Sequence, residues 1–324
     1  MSASRVVSGL AAIARPPPRA VVTVGVFDGV HTAHQQLVRT AVRIARRVHG
    51  TCVVITFHPD PQTVLDPSHA QPALMPLAAR VERLRALGAD WVWIIPFTRR
   101  FARISAEQFI RQVLIRRLRA RTLVVGERFV FGRNRRGDME VLRSISPRLG
   151  MRVVPVRHIR RAGMPVSSSG IRALIGKGQL AQARRLLGSP PALYGIVVRG
   201  AGRGRSLGFP TANIQLIPQV LPPTGVYVVT LTQIKTKRTW PGVMNLGIRP
   251  TFGAGPMVCE VHVLGAPRTL LGRTVTVSLL RRFRGERCFA SPQALRRQIG
   301  RDVARARQFF QRPGPSRTSP RIPL

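Results

Sequence analysis

Apolar residues in the first half of the chain form short continuous runs separated by longer stretches with helical spacing. The continuous runs predict strands buried on both faces, and apolar positions three or four residues apart predict helices. The strands are predicted at residues 20–26, 51–57, 91–95, 122–126 and 152–156, and the helices at 34–48, 77–87, 105–118, 171–175 and 180–187. Strands that alternate with helices are typical of a parallel sheet with right-handed crossovers, so we expect a doubly wound α/β domain.

The pattern changes at the segment GSPP, residues 188–191. Beyond it, short apolar runs at residues 194–198, 225–231, 242–246, 258–264 and 274–280 are separated by turns rich in glycine and proline. Short strands with such turns indicate a small antiparallel β-barrel. A final helix is predicted from Ser291 to about residue 310, with Pro292 in its first turn.

These patterns divide the chain into five segments. We expect a ragged N-terminus at residues 1–19, the α/β domain at 20–187, a linker at 188–193 and the barrel with its terminal helix at 194–311. Residues 312–324 are rich in Pro, Ser and Arg, which predicts a disordered tail.

The net charge is strongly positive. The 324 residues include 53 Lys and Arg but only 12 Asp and Glu, a formal net charge of +41, which suggests a polyanionic partner such as RNA. The arginines are spread over every segment instead of forming one patch, which favours a compositional bias. We therefore expect no specific nucleic-acid partner, although non-specific, salt-sensitive RNA binding can follow from this charge.

Cysteine usage and hydropathy bear on location. Cys52, Cys259 and Cys288 lie far apart and have no metal-ligand spacing, so they fit a reducing compartment. No apolar run approaches the ~20 residues that a membrane span needs. We expect a cytoplasmic protein with no membrane partner.

A strand-to-helix turn carries the first candidate chemistry. The predicted strand 20–26 leads into FDGVHTAH, residues 27–34, and a predicted helix follows directly. Ligands of parallel α/β sheets bind at the carboxyl ends of strands, and phosphates favour helix N-termini. His31 and His34 can therefore face one phosphate and stabilise charge that develops on it, an interpretation preferred over two ordinary surface histidines.

A glycine- and arginine-rich segment carries the second candidate site. Residues 200–213 read GAGRGRSLGFPTAN, in which glycines allow backbone amides to approach phosphates and arginines neutralise them. Farther along, Glu260 is the only acidic residue between Glu140 and Glu286. In a chain with so few acidic residues Glu260 is a candidate functional residue, and the alternative is a strand glutamate paired with an arginine.

Nearly the whole chain, from about residue 21 to residue 310, resembles the bifunctional bacterial riboflavin kinase/FAD synthetase family. The segments FDGVHTAHQQL (27–37), TFHPDP (56–61), VGERFVFG (125–132) and SSSGIR (167–172) are similar to motifs of its nucleotidylyltransferase domain. The segments GRSLGFPTAN (204–213), GVY (225–227), GVMNLGIRPT (242–251), EVH (260–262) and RRFRGERCF (281–289) are similar to motifs of its riboflavin kinase domain.

The resemblance implies two reactions. Riboflavin and ATP give FMN in the barrel, and FMN and ATP give FAD and pyrophosphate in the α/β domain. Both reactions require Mg²⁺, and ATP is the co-substrate of both.

The resemblance also implies site residues. In the α/β domain, His31 and His34 act on the ATP phosphates. The other ATP-binding residues there are Gly25, Phe27, Asp28, Gly29, Ser167, Ser168, Ser169 and Arg172, and the flavin-binding residues are Phe57, Pro59, Phe129 and Phe131.

In the barrel, the resemblance implies Glu260 as the base and Thr211 and Asn213 as Mg²⁺ ligands. Gly204, Arg205, Gly208 and Asn245 bind ATP, and Arg284 and Glu286 bind the flavin. Asp302 fits a family pattern on the last helix, and a helix-surface ion pair is an equal alternative for it.

Two departures from the family motifs leave alternatives open. Ala33 stands where the family has Gly, and Arg128 stands where it usually has Asp or Asn. Because both lie in the α/β domain, the first alternative is a riboflavin kinase with a degraded adenylyltransferase site. The second alternative is a basic RNA-binding protein on a retired enzyme scaffold.

Overall fold

The computed structural model describes residues 4–161, 163–200, 202–250, 254–265 and 270–311. Contacts divide the chain into two compact units. The first comprises the described parts of Met1–Pro72 and Leu77–Ser168, and the second comprises Ala73–Pro76 and the described part of Ser169–Arg321. The division therefore falls near residue 168, before the predicted linker at 188–193, and residues 169–187 belong with the barrel.

The first unit is built on a parallel sheet of six strands. These are β1 (Arg5–Ser8), β2 (Val21–Val24), β3 (Cys52–His58), β4 (Trp91–Pro96), β5 (Thr122–Gly126) and β6 (Arg152–Val156). Their order is β1-β4-β3-β2-β5-β6, and every pairing is parallel. The predicted doubly wound α/β fold is confirmed, and the chain changes direction across the sheet between β2 and β5.

Helices and one small hairpin complete the first unit. The helices are α1 (Thr32–Arg47), α2 (Pro61–Leu65), α3 (Leu77–Ala86), α4 (Arg99–Ala102), α5 (Ala106–Gln108) and α6 (Met139–Ile145). A π-helical segment, Phe109–Arg117, continues α5, and β7 (Arg160–Arg161) pairs with β8 (Met164–Pro165). Ser105 begins α5 with a capping box, as its hydroxyl and the Gln108 side chain bond each other's backbone N–H groups.

The prediction of a ragged N-terminus is wrong for Arg5–Ser8, because this segment pairs with β4 along its whole length. The indole Nε1–H of Trp93 also donates to the Gly9 carbonyl at 2.8 Å, and Val7 is buried. Only one residue of this edge strand is buried, so its sequence lacks the continuous apolar run of the central strands.

The second unit is a closed antiparallel barrel, as predicted. Its strands are β9 (Ala192–Val198), β10 (Ala212–Leu216), β11 (Gly225–Gln233), β12 (Thr239–Pro250), β13 (Ala254–Val263) and β14 (Thr274–Arg284). They close in the order β10-β13-β12-β11-β14-β9. The helices assigned here are α7 (Ser168–Gly176), α8 (Leu180–Leu187), α9 (Arg203–Ser206) and α10 (Pro292–Gln311).

Strand β10 was not predicted. Its sequence, ANIQL, contains one buried residue, Ile214, and follows a run of glycines and arginines that indicates a loop. Its place in the sheet comes from pairing with β9 on one side and β13 on the other. This correction matters because β10 carries Asn213.

The barrel has apolar packing on both of its faces. Inward-facing residues such as Tyr227, Met244 and Leu279 fill the interior. On the outside, Val226, Val228 and Val243 pack with Val303 and Ala306 of α10. The predicted disordered tail at 312–324 and Thr251 of the GVMNLGIRPT motif lie outside the described residues. None of the described helices combines the length and the apolar character needed to cross a bilayer.

Two candidate active sites

The turn between β2 and α1 lies where the order of the parallel strands reverses, the usual ligand position in open α/β sheets. Phe27 adopts a left-handed conformation with φ of 56°, and Gly29 has φ of 80°. These angles reverse the chain within a 3₁₀ turn, Asp28–Val30, so that His31 becomes the N-cap of α1. The helix start at which a phosphate was predicted is therefore present, and the phosphate itself stays a prediction.

His31 and His34 lie together at this helix start. Their rings stack with centroids 3.5 Å apart at 15°, and the His31 Nδ1 accepts a long hydrogen bond from the His34 backbone N–H at 3.4 Å. Burial lowers the pKa of His34 well below its usual value, and the charges of His31 and Arg80 lower it further. His34 is therefore neutral near pH 7, and its buried Nδ1 has no hydrogen-bond partner among the residues that the structure describes.

The other residues predicted at this turn have distinct surroundings. The Ser168 hydroxyl donates to the Asp28 carbonyl at 3.0 Å, which ties the serine motif to the turn. Phe27 is fully buried and packs beneath Gly25, so only its backbone can face a ligand. Ser169 and Arg172 fall in the second unit.

Sequence analysis did not identify Arg80, on α3, as a functional residue. Its side chain is 4% exposed, and its Nη1 donates to the carbonyls of Val26 at 2.9 Å and Phe57 at 3.2 Å. A signal was available, because Arg80 lies at helical spacing from Leu77 and Leu84, on the face of α3 where a core residue is expected.

Phenylalanines form a continuous cluster beyond the ends of β3 and β5. Phe57 contacts Phe97 and Phe101, with ring centroids 5.7 and 6.0 Å apart respectively. Phe101 contacts Phe109, which contacts Phe131. Phe129 stacks on Phe131 at 5.2 Å and 13°. Phe57, Phe129 and Phe131 are partly exposed, so they can present apolar ring faces to a flat aromatic ligand.

The two departures from the family motifs lie at different depths. Ala33 is half-buried in the first turn of α1, whereas Arg128 is exposed. Glu127, beside Arg128, accepts a hydrogen bond at its Oε1 from the backbone N–H of His158 at 3.0 Å.

A cavity of about 450 Å³ adjoins the start of α1. It is lined by Thr32, Gln35, Gln36, Arg39, Arg43, Ile159, Arg160 and Arg161. This lining includes four arginines and no carboxylate, so the cavity suits an anion. His31 and His34 do not line it.

The second candidate site is a row of polar residues across neighbouring barrel strands. Asn213 on β10 pairs with Glu260 on β13, and Glu260 pairs with Asn245 on β12. The next register row, Ile214 with Cys259 and Leu246, is buried in the interior. Because side chains alternate along a strand, the polar row faces outward. Thr211, two residues before Asn213, is expected on the same side.

Glycines hold the preceding loop against this row. A Cβ at Gly200 would overlap the side-chain amide of Asn213, and one at Gly204 would lie 3.0 Å from the Thr211 hydroxyl. The His262 Nδ1 lies 2.8 Å from the Pro210 carbonyl, which fixes the segment before Thr211. Gly208 has φ of 86°, and Arg205 is exposed on α9.

Arg284 and Glu286 extend the outer face beyond this row. Arg284 is paired in register with Val226, which is itself the partner of Asn245. Its Nε and Nη2 donate to Asp302 Oδ2 at 3.0 and 2.8 Å, and Gln298 Nε2 donates to Oδ1 at 3.1 Å. The ion-pair alternative for Asp302 is confirmed, but the pair is buried instead of lying on the helix surface. The Glu286 carboxylate lies against Gly247.

The described residues offer few side chains that could bind a metal ion without help from a ligand. Among them, no group of three or more His, Cys, Asp or Glu side chains lies close enough to hold a metal ion. Thr211 and Asn213 provide neutral oxygen donors, which suit a hard cation such as Mg²⁺ only when a ligand supplies negative charge.

Comparisons with known proteins agree with this two-unit organisation. Residues 14–170 match the FAD synthetase family model, and residues 187–310 match the riboflavin kinase family model. The bifunctional riboflavin kinase/FMN adenylyltransferase of Escherichia coli K12 is 37% identical over 91% of this chain and 94% of its own length. The enzyme of the same name from Pseudomonas fluorescens is 38% identical over 90% of this chain and 94% of its own length.

A solved structure covers both units. The crystal structure of a protein described as a macrolide-efflux protein from Streptococcus pneumoniae has a TM-score of 0.83 and 29% identity, and the match covers 94% of this chain and 99% of that one. With two family models and near-full-length relatives in agreement, the chain belongs to the bifunctional riboflavin kinase/FMN adenylyltransferase family.

Proposed function

We propose that this protein phosphorylates riboflavin to FMN on the outer face of its barrel and adenylylates FMN to FAD at the β2–α1 turn. The chain carries both enzymatic domains of its family, and ATP is the co-substrate of both reactions. The observation that carries the assignment of sites is the register that sets Glu260 between Asn213 and Asn245.

In the kinase reaction, the Glu260 carboxylate accepts the proton of the terminal ribityl hydroxyl as that oxygen attacks the γ-phosphorus of ATP, the bond from this phosphorus to the bridging oxygen breaks, and ADP leaves. Loop amides at Gly204, Arg205 and Gly208 hold the nucleotide phosphates, with Asn245 beside them. Arg284 and Glu286 border the flavin. The positions of Arg284 and Glu286 on the same outer face as Glu260 support the assignment of phosphate binding to the loop and of flavin binding to these two residues.

The residues present fit a magnesium ion in the kinase site. Thr211 and Asn213 would hold it through hydroxyl and amide oxygens, and their neutrality leaves charge balance to the ATP phosphates. When bound, Mg²⁺ neutralises negative charge on the transferring phosphate.

In the adenylyl transfer, an FMN phosphate oxygen attacks the α-phosphorus of ATP and pyrophosphate leaves. No covalent intermediate with the protein is required, so catalysis depends on positioning and on charge stabilisation. His31 and His34 act on the phosphates at the start of α1, together with Gly25, Gly29, Ser167 and Ser168 of the same unit. The partly exposed rings of Phe57, Phe129 and Phe131, with Pro59, form the flavin surface.

We further propose a cytoplasmic location and no specific nucleic-acid partner. All three cysteines are free, and Cys52 and Cys259 are buried, as expected in a reducing compartment. The charge of +41 still favours weak, salt-sensitive RNA binding.

The test is a product assay with purified protein, riboflavin and MgATP. We expect FMN to accumulate first and FAD with pyrophosphate to follow. FMN without FAD would favour the kinase-only alternative, in which Ala33 and Arg128 disable the first unit. RNA binding without any flavin turnover would favour the retired-scaffold alternative.

A further inference from the structure

Arg80 contacts the ends of two neighbouring strands with one nitrogen atom. Its Nη1 lies 2.9 Å from the Val26 carbonyl oxygen, 3.2 Å from the Phe57 carbonyl oxygen and 3.4 Å from the Thr56 hydroxyl. The Thr56 hydroxyl itself donates to the Val26 carbonyl at 2.9 Å. These groups form one hydrogen-bonded cluster that joins the chain after β2 to the end of β3.

The two segments joined by this cluster lead to different substrates of the proposed adenylyl transfer. Val26 is followed by the turn that ends at His31 and His34, and Phe57 belongs to the proposed flavin surface. In-line attack of one bound substrate on the other requires that these segments keep a fixed separation, because a misplacement of ~1 Å can lower a rate by about 100-fold.

Burying a guanidinium with only 4% exposure is costly unless its charge is compensated. Burial lowers the pKa of Arg80, while the charges of Asp28 and Asp60 oppose that effect. Asp28 lies in the ATP turn, and Asp60 follows the flavin segment as the N-cap of α2. Arg80 is therefore balanced electrostatically by the same two segments that it bridges.

We propose that Arg80 is a positioning residue for FAD synthesis, which holds the ATP-binding turn and the flavin-binding segment at the separation that the reaction requires. This inference rests on the proposed adenylyltransferase activity of the first unit. Arg80 acts through the backbone of Val26 and Phe57 and has no assigned contact with a reacting atom.

The charge of Arg80 has a second consequence that can be measured. Burial is the largest cause of the lowered pKa of His34, and the charged groups that lower it further are His31, at the N-cap of the same helix, and Arg80, on α3. Asp28 and Asp60 face Arg80 from the two bridged segments. Because the Arg80 charge lowers the pKa of His34, removing that charge raises this pKa and protonates His34 at a higher pH.

Two substitutions separate the charge of Arg80 from its length. Arg80→Met removes every donor and the charge but keeps a long side chain. Arg80→Lys keeps the charge, and its ammonium has three donors for the three acceptors that surround Nη1. We expect Arg80→Met to lower kcat for FAD formation by about 100-fold and Arg80→Lys to retain most of the wild-type rate.

FAD formation from FMN and MgATP is measured across pH 5 to about 9 for the wild type and both variants, with thermal melting and riboflavin kinase activity as controls for folding. We expect the acidic limb of kcat/KM to move to higher pH in Arg80→Met and to stay in Arg80→Lys. Partial unfolding would reduce the rate without moving that limb.

The inference is overturned if Arg80→Met forms FAD at nearly the wild-type rate, or if its loss of activity comes with a lower melting temperature, which would make the role of Arg80 structural. It is also overturned if Arg80→Lys is as impaired as Arg80→Met. Wild-type protein that makes FMN but no FAD contradicts the proposed function itself, and the inference about Arg80 then falls with it.

Discussion

Asn213 and Glu260 are direct register partners across β10 and β13, and their side chains lie on the outer face of the barrel. Elsewhere on that face, Val226, Val228 and Val243 are covered by α10. A polar pair beside this apolar surface does not add to the packing of α10. The pair is part of the proposed kinase site, and the next substitution tests that assignment.

Glu260→Gln tests the base assignment. The substitution keeps the shape of the side chain but removes its ability to accept the ribityl proton, so we expect FMN formation to fall by about 100-fold or more. FAD formation from added FMN should stay at the wild-type rate, because that reaction belongs to the first unit. Both rates are measured on one preparation.

Glu140→Gln is a matched control for Glu260→Gln, because Glu140 is an exposed glutamate on α6. It should leave both activities unchanged. If Glu260→Gln retains wild-type kinase activity, Glu260 is not the base and the alternative of a strand ion pair becomes the better interpretation.

Gly200→Ala tests the proposed metal ligand without changing it. A Cβ at residue 200 would overlap the Asn213 side-chain amide, which can move because it is the end of a side chain. We expect the Mg²⁺ concentration for half-maximal kinase activity to rise, with little change in melting temperature. Gly176→Ala, where no atom lies within 4 Å of the new Cβ, is the control. An unchanged Mg²⁺ requirement in Gly200→Ala would argue against Asn213 as a ligand.

Continuous apolar runs predicted the central strands of the sheet well, because β2 and β3 are buried on both faces. The same reasoning missed β10, whose position depends on hydrogen bonds to strands distant in sequence. It also missed β1, an edge strand with a single buried residue. The pattern of apolar residues along a segment indicates how far that segment is buried. It could not reveal β1 and β10, because these two strands are held chiefly by hydrogen bonds to neighbouring strands.

The residues of the candidate sites also divide into those that local sequence predicts and those that depend on contacts distant along the chain. His31 and His34 were predictable, because a buried strand followed by a turn and a helix start is visible in the sequence. The helical spacing of Arg80 indicates only that it is buried, and its role was not predictable, since its acceptors are backbone carbonyls far away along the chain. Two interpretations of Asp302 were open in the sequence, and neither named Arg284 as its partner, because the two residues lie far apart along the chain and meet only in the fold.

The lowered pKa of His34 predicts a pH dependence of stability. His34 is neutral when folded, whereas an unfolded histidine gains a proton below pH ~6.5. The unfolded state then binds more protons, so the contribution of His34 to stability is present above that pH and is lost as the pH falls. Melting temperature measured from pH 5 to about 8 should drop less steeply at the acidic end for His34→Asn than for the wild type.

His49→Asn is the matched control for His34→Asn. His49 is an exposed histidine after α1, and its φ of 48° is a conformation that asparagine tolerates. This variant should keep the wild-type pH dependence. If His34→Asn also keeps it, His34 is not held neutral in the folded protein.

The buried pair of Arg284 and Asp302 provides the last prediction. Their side chains are 13% and 6% exposed, so Asp302→Asn leaves the Arg284 charge uncompensated and should destabilise the barrel by about 3–5 kcal/mol. Glu107→Gln removes an exposed pair with Arg111 and should cost less than about 1 kcal/mol. Unfolding in urea measures both changes. A flavin contact that depends on this pair would also weaken, and KM for riboflavin would rise in Asp302→Asn. If Asp302→Asn leaves stability unchanged but raises that KM, the pair serves the flavin site directly and contributes little to the fold.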